Sequence, residues 1–244
     1  MPVANLFPTC LADTFRKRIV EATAEVLRRA GAEVRFPKGL TCCGQPAFNA
    51  GMRREARRMA EHTIRTLERY EGAVVLPAGS CAAMIRNNYA ELFADDAEWR
   101  RRADALAART YEFSEYLVDV LGVTDLGVHF PYRITYHPSC HMLRALGVDR
   151  QPRALLYALH GAVFVELPDA DECCGFGGVF TAEQPEISRS MLERKVANIA
   201  KTGADVCVTA DPSCLLHIQG GLNRAGVRTR MMHIAEVLAF HPTT

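Results

Sequence analysis

The sequence predicts an α/β protein made of two tandem, duplicated halves, each a Rossmann-like layered unit carrying a Cys-Cys-Gly motif. Two observations predict it. Apolar runs of strand length alternate with stretches of helical period, the pattern of parallel α/β layers. In addition, Cys42-Cys43-Gly44 returns as Cys173-Cys174-Gly175, 131 residues later. The remaining cysteines keep step: Cys10 lies 32 residues before Cys42 and Cys81 lies 38 after Cys43, while Cys140 lies 33 before Cys173 and Cys214 lies 40 after Cys174. Eight of the nine cysteines thus share one repeated frame. A period near 130 residues is too long for a solenoid repeat and marks a duplicated domain, with halves expected at 1–128 and 129–244.

Taken in order, residues 3–8 form an apolar run that ends in Pro8-Thr9-Cys10, followed by helical spacing from Leu11 to Arg29 and a stop at Gly31. Ala32 to Phe36 reads as a second strand, leading into the loop that carries Cys42 and Cys43. Arg53 to Tyr70 reads as an amphipathic helix whose polar face bears Arg53, Arg54, Arg57 and Arg58, either a solvated face or a docking surface. Ala73 to Leu76 has the continuous apolar character of a buried parallel strand and runs into Ser80-Cys81 and a new helix. Helices are expected over Asp95–Arg109 and Tyr111–Leu121, closing the first half. The order then repeats. A strand at Ile134–Tyr136 leads to Ser139-Cys140 and a helix reaching His160, and a strand over Ala162–Leu167 leads to Cys173-Cys174-Gly175. A helix over Gln184–Thr202, a strand at Asp205–Thr209, Ser213-Cys214 and a last helix complete the chain.

With 49% hydrophobic residues the chain can bury a large core, and 29 basic against 28 acidic residues create no overall field for nucleic acid or an anionic membrane. The start lacks a basic leader, and no apolar stretch approaches the roughly 18 residues of a membrane span. A cytoplasmic location without membrane insertion is expected, and there nine cysteines read as metal ligands or redox groups rather than a disulfide framework.

Cys10, Cys81, Cys140 and Cys214 each follow a residue of helix-capping type, namely Thr9, Ser80, Ser139 and Ser213, at an expected helix start. Unpaired N–H groups and partial positive charge at such a start favour thiolates. Structural zinc prefers knuckles of the C-x₂₋₄-C type, and none is present. Adjacent thiolates suit a multi-iron cluster better than one ion, and the ferredoxin run C-x₂-C-x₂-C is missing.

The doubled frame resembles the cysteine-rich CCG domains of the heterodisulfide reductase B-subunit superfamily, in its lactate-utilisation protein A (YkgE-type) branch, over essentially the whole chain. The resemblance implies Cys10, Cys42, Cys43 and Cys81, and Cys140, Cys173, Cys174 and Cys214, as ligands of iron–sulfur clusters, one [4Fe–4S] per half. It implies an electron-transfer subunit of an NAD-independent, multi-protein system that oxidises L-lactate to pyruvate, with a ferredoxin-type iron–sulfur subunit and a third small protein as partners. A thiol or disulfide reductase, an iron–sulfur subunit for another 2-hydroxy acid such as glycolate, and a zinc-stapled binding module are the alternatives. The fullest form of the motif ends in C-x-x-C, but Ala78 and Asp211 stand where its first cysteine would be. Each half therefore has four candidate ligands, which leaves open a cubane, a smaller cluster or one with a non-cysteine ligand. Asp211 is either a fifth, oxygen ligand or an aspartate fixing its turn.

His137 and His141 flank Cys140 where the first half has Phe7 and Leu11, and are candidates for proton relay, cluster tuning, ligation or catalysis. This asymmetry predicts chemistry in the second half and electron passage in the first. Cys207 reads as a small buried hydrophobe, and Gly175, Gly177 and Gly178 as a close backbone approach to a cluster, since no dinucleotide or phosphate-loop fingerprint accompanies them.

Overall fold

The computed structural model describes residues 1–241. The first half runs β1 (Val3–Leu6), α1 (Cys10–Phe15), α2 (Lys17–Arg29), β2 (Glu33–Arg35), α3 (Gln45–Asn49), α4 (Arg53–Leu67) and β3 (Ala73–Leu76). It continues through α5 (Gly79–Ala83), a π-helical stretch Met84–Asn88, α6 (Tyr89–Leu92), α7 (Ala97–Ala107), β4 (Thr110–Glu112) and α8 (Phe113–Glu115), which runs on as π-helical Tyr116–Val120. The second half runs β5 (Arg133–Tyr136), π-helical His141–Leu146, α9 (Arg150–Tyr157), β6 (Val163–Phe164), α10 (Phe180–Glu183) and α11 (Pro185–Thr202). It ends with β7 (Val206–Thr209), α12 (Pro212–Arg224), β8 (Arg230–His233) and α13 (Ile234–Leu238).

Each half holds a four-stranded parallel sheet, ordered β2-β1-β3-β4 and β6-β5-β7-β8. The registers correspond: Ala4 pairs with Val34 and Ala73, and Ile134 pairs with Phe164 and Val206. The chain leaves the central pair β1/β3, or β5/β7, in opposite directions, so each sheet has its switch point there, where open α/β sheets place ligands beyond the strand ends. Cys10 and Cys81 follow β1 and β3, and Cys140 and Cys214 follow β5 and β7. The tandem α/β architecture expected from the sequence is present.

Several expected elements differ. Tyr111–Leu121, read as a helix, opens inside β4, and β8 was not foreseen. Three and four residues are too short for a strand period to stand out from the helix that follows. The helix over Leu11–Arg29 breaks at Arg16 (φ −144°, ψ 54°), and the helix toward His160 breaks at Gly147, left-handed at φ 68°. The strand expected over Ala162–Leu167 keeps only Val163 and Phe164.

The halves are interlocked. α13 packs on α2 of the first half, and α8 packs on α9 of the second, a reciprocal exchange about a pseudo-twofold axis. One core cluster accordingly joins Ala22, Val26 and Leu27 to Ile234, Val237 and Leu238, and Phe113 and Leu117 to Leu155 and Leu156. Arg29 Nη1 donates to Leu238 O at 3.1 Å, tying the end of α13 to α2. α5 lies so close to the π-helical stretch at His141–Leu146 that a Cβ on Gly79 would sit 2.1 Å from Met142 Cγ. The arginine face of α4 is a solvated face with its own counterions: Arg53 pairs with Glu91 at 3.1 Å, and Arg57 with Asp95 at 2.6 Å and Asp96 at 3.1 Å. Among the described residues, no helix is long and apolar enough to cross a membrane.

Candidate metal centre between the halves

In the first half the four thiols converge. Cys10 opens α1 after Thr9, a β-branched residue held at φ 62°, a conformation costing on the order of 1–3 kcal/mol. Its Sγ lies 3.8 Å from Cys42 Sγ. Cys43, next to Cys42, and Cys81 on α5 line one cavity with them. Gly44, left-handed at φ 90°, turns its N–H back onto Cys42 Sγ at 3.4 Å, and Tyr89 Oη donates to Cys43 O at 2.8 Å.

The second half repeats the arrangement. Cys140, Cys173 and Cys174 line the cavity together, and Cys174 Sγ lies 3.4 Å from Cys214 Sγ. Gly175 (φ 88°) donates its N–H to Cys173 Sγ at 3.4 Å, and Ser188 Oγ donates to Gly175 O at 2.8 Å. The loop before the pair is anchored by buried Lys195, whose Nζ donates to Asp169 O at 2.6 Å.

The donors around each pair set the order of ionisation. Thiol donors Cys10 and Cys43, with the Gly44 N–H, lower the pKa of Cys42, and Cys140, Cys174 and Gly175 do the same for Cys173. Hydrogen bonds given to those thiolates, together with burial, raise Cys43 and Cys174. All nine cysteines are free thiols.

The glycines are not equally replaceable. A Cβ on Gly175 would lie 2.7 Å from Ser188 O, whereas on Gly44 its nearest contact is Met59 Cβ at 3.3 Å. Gly175→Ala should therefore cost about 2–4 kcal/mol against about 1–2 for Gly44→Ala, the shared part being left-handed strain. Thermal unfolding of the two variants checks the order, and equal losses would remove the steric argument.

Both sets of four thiols line one cavity of about 350 Å³ between the halves. His141 lines it as well, while His137 lies behind the sulfurs, fully buried. Gln45 Nε2 meets His141 Nε2 at 3.0 Å across the junction, and His141 Nδ1 lies 3.8 Å from Cys140 Sγ. By the repeat, Gln45 corresponds to Phe176 and His141 to Leu11, and these also line the cavity, which is thus polar on one side and apolar on the other.

These residues fit a thiolate-held metal centre. Eight soft donors gather without forming a disulfide, and one ring nitrogen of His137 lies within 4.8 Å of Cys174 Sγ and Cys214 Sγ. Both ring nitrogens of His137 are buried without a hydrogen-bond partner among the described residues. Such groups cost about 1–3 kcal/mol each unless something binds them.

The cysteine-rich domain CCG matches residues 4–86 and again 134–219, once over each set of thiols. The chain belongs to the CCG cysteine-rich domain family. Within it, the chain is 46% identical over 239 residues to lactate utilization protein A of Exiguobacterium sp., covering 98% of this chain and 97% of that one. It is 46% identical over 234 residues to lactate utilization protein A 2 of Bacillus mycoides (96% and 97% covered), and 45% over 237 residues to lactate utilization protein A of Oceanobacillus iheyensis (97% and 96%).

Three residues before the last cysteine of the frame, Asp211 is a turn residue and a cross-link. Its Oδ1 accepts from Ser213 N at 3.0 Å, capping α12, and its Oδ2 accepts from Ser80 N at 2.8 Å, capping α5 of the other half. The caps of these two helices are thus Asp211 and Ala78 rather than Ser213 and Ser80. Asp211 carries the side chain that Ala78 lacks. Sequence reasoning missed Gln45, Tyr89 and Lys195. Setting Gln45 beside Phe176 after each Cys-Cys-Gly would have exposed the first, whereas nothing in an amphipathic helix marks Lys195 as buried.

Proposed function

We propose that this CCG protein is the iron–sulfur electron-transfer subunit of a multi-protein system that oxidises L-lactate to pyruvate in the cytoplasm. What carries the reading is the convergence of two four-thiol sets on one cavity, in a chain that matches proteins named lactate utilization protein A almost end to end. Cys10, Cys42, Cys43 and Cys81 hold one [4Fe–4S] cluster, and Cys140, Cys173, Cys174 and Cys214 hold the other. The clusters supply one-electron transfer when bound. Oxidation of lactate releases two electrons and two protons, and the electrons pass on to a ferredoxin-type iron–sulfur subunit, with a third small protein completing the assembly. The chain's own residues divide the remaining work. Burial of Cys43, Cys81, Cys174 and Cys214 keeps water from the sulfurs, and His141, on the cavity wall, holds a proton beside Cys140.

Anaerobic purification with iron and sulfide analysis, then lactate-dependent reduction in the reconstituted assembly, tests this. A colourless, zinc-loaded protein would sink the cluster, and turnover of a disulfide without turnover of lactate would favour the reductase reading.

The halves should differ in potential. Lys195 lies seven residues after Ser188, whose carbonyl faces Gly175, and Thr63 lies seven after Ala56, whose carbonyl faces Gly44. A buried cation acting on Cys174 thus stands where the first half has a neutral hydroxyl. Lys195→Met should lower the second-half potential by several tens of millivolts, 59 mV being tenfold for one electron, and leave the first half unchanged. An EPR-monitored titration in which both centres move together would contradict it.

A further inference from the structure

One buried histidine has the position and chemistry of a ligand. His137 follows β5 directly with no exposed surface, and neither ring nitrogen meets a partner among the described residues. One of those nitrogens lies within 4.8 Å of Cys174 Sγ and Cys214 Sγ, which are themselves 3.4 Å apart. A neutral imidazole keeps one ring-nitrogen lone pair free for a metal, and nothing else among the described residues takes it up.

Packing does not demand an imidazole there. The corresponding residue ending the first half's β1 turn is Phe7, equally buried and packed in one cluster with Cys43 and Cys81. The alternatives for a fifth donor are already engaged. Both carboxylate oxygens of Asp211 are taken up by Ser213 and Ser80, and His141 has one ring nitrogen on Gln45 and the other facing Cys140.

We propose that His137 supplies a nitrogen ligand to the second-half centre, which is held by four sulfurs and one nitrogen, while the first-half centre is held by four sulfurs alone. The proposal rests on the iron–sulfur reading above. A neutral nitrogen donor leaves the ligand charge of the second centre equal to that of the first, so nuclear coupling rather than potential is what distinguishes them.

The test is pulsed EPR on the reduced, iron-loaded protein, comparing natural-abundance and ¹⁵N-histidine samples. The expected result is a directly coupled histidine nitrogen on one of two centres. It disappears in His137→Phe, which copies Phe7, and persists in His141→Phe. The first-half centre reports whether that variant folds, and the labelled wild-type protein answers the ligand question without any substitution. Iron-loaded wild-type protein with no coupled histidine nitrogen, or a signal that survives in His137→Phe, overturns the ligand assignment and leaves the cluster reading standing. Protein that takes up no iron or sulfide overturns both.

Discussion

Cys174→Ser should empty the second-half centre and bring lactate-dependent electron flow in the assembled system to background, with the fold intact. Cys174 is the inner member of its pair, 2% exposed, and it links Cys173 to Cys214 in the chain of sulfurs. Its loss therefore divides the donor set, and a serine hydroxyl is a poor substitute for a soft thiolate. Iron should fall to about half while the first-half signal remains, and Cys43→Ser should give the converse. The fold survives because three apolar clusters, two of them spanning both halves, are built mostly from aliphatic and aromatic side chains, with Cys43, Cys81, Cys174 and Cys214 only a small part of two of them. A thermal midpoint within roughly 4 °C of the metal-loaded wild type is expected, about 1 kcal/mol for a chain of this size. A metal-stapled module would behave in the opposite order, losing its fold when it loses its metal. Iron analysis, EPR and thermal unfolding of the two variants decide between them, and cooperative unfolding on loss of one centre would defeat the argument.

Asp211→Ala should be among the most damaging substitutions outside the cysteines. It removes the cap of α12 and, in the same stroke, the acceptor for Ser80 N across the junction, 2.8 Å away and buried. A lost cap costs about 1 kcal/mol and a charge-assisted buried hydrogen bond about 1.5–3, giving about 2.5–4 together. The midpoint should drop by roughly 5–15 °C. Asp211→Asn should recover only part of this, because one amide oxygen can serve one of the two helices while its NH₂ cannot accept from the other. A midpoint within 2 °C of wild type in the alanine variant, a bound drawn from roughly 2–4 °C per kcal/mol, would show that the cross-half cap is dispensable.

What the sequence revealed and what it concealed follow the reach of each signal. The central strands and the cysteine frame were legible because both are written in one dimension, as runs of apolar residues and as repeated distances. Thr110–Glu112 and Arg230–His233 were concealed because their identity as strands comes from pairing with β3 and β7, not from their own few residues. The meeting of both thiol sets in one cavity lay beyond any spacing argument, since it depends on how the halves pack about their pseudo-twofold axis. Asp211 shows the same limit. Its place in the turn was readable, but its second partner, Ser80, is 131 residues away.

The exchanged helices also fix when the protein can be finished. The apolar side of α2 is covered by α13, the last helix described, so Ala22, Val26 and Leu27 stay uncovered until residues 234–238 have left the ribosome. At about 5–20 residues per second, that delay after β5 is on the order of 5–20 s. Translation cannot release a completed first half ahead of the second. The nascent chain needs shielding over that interval.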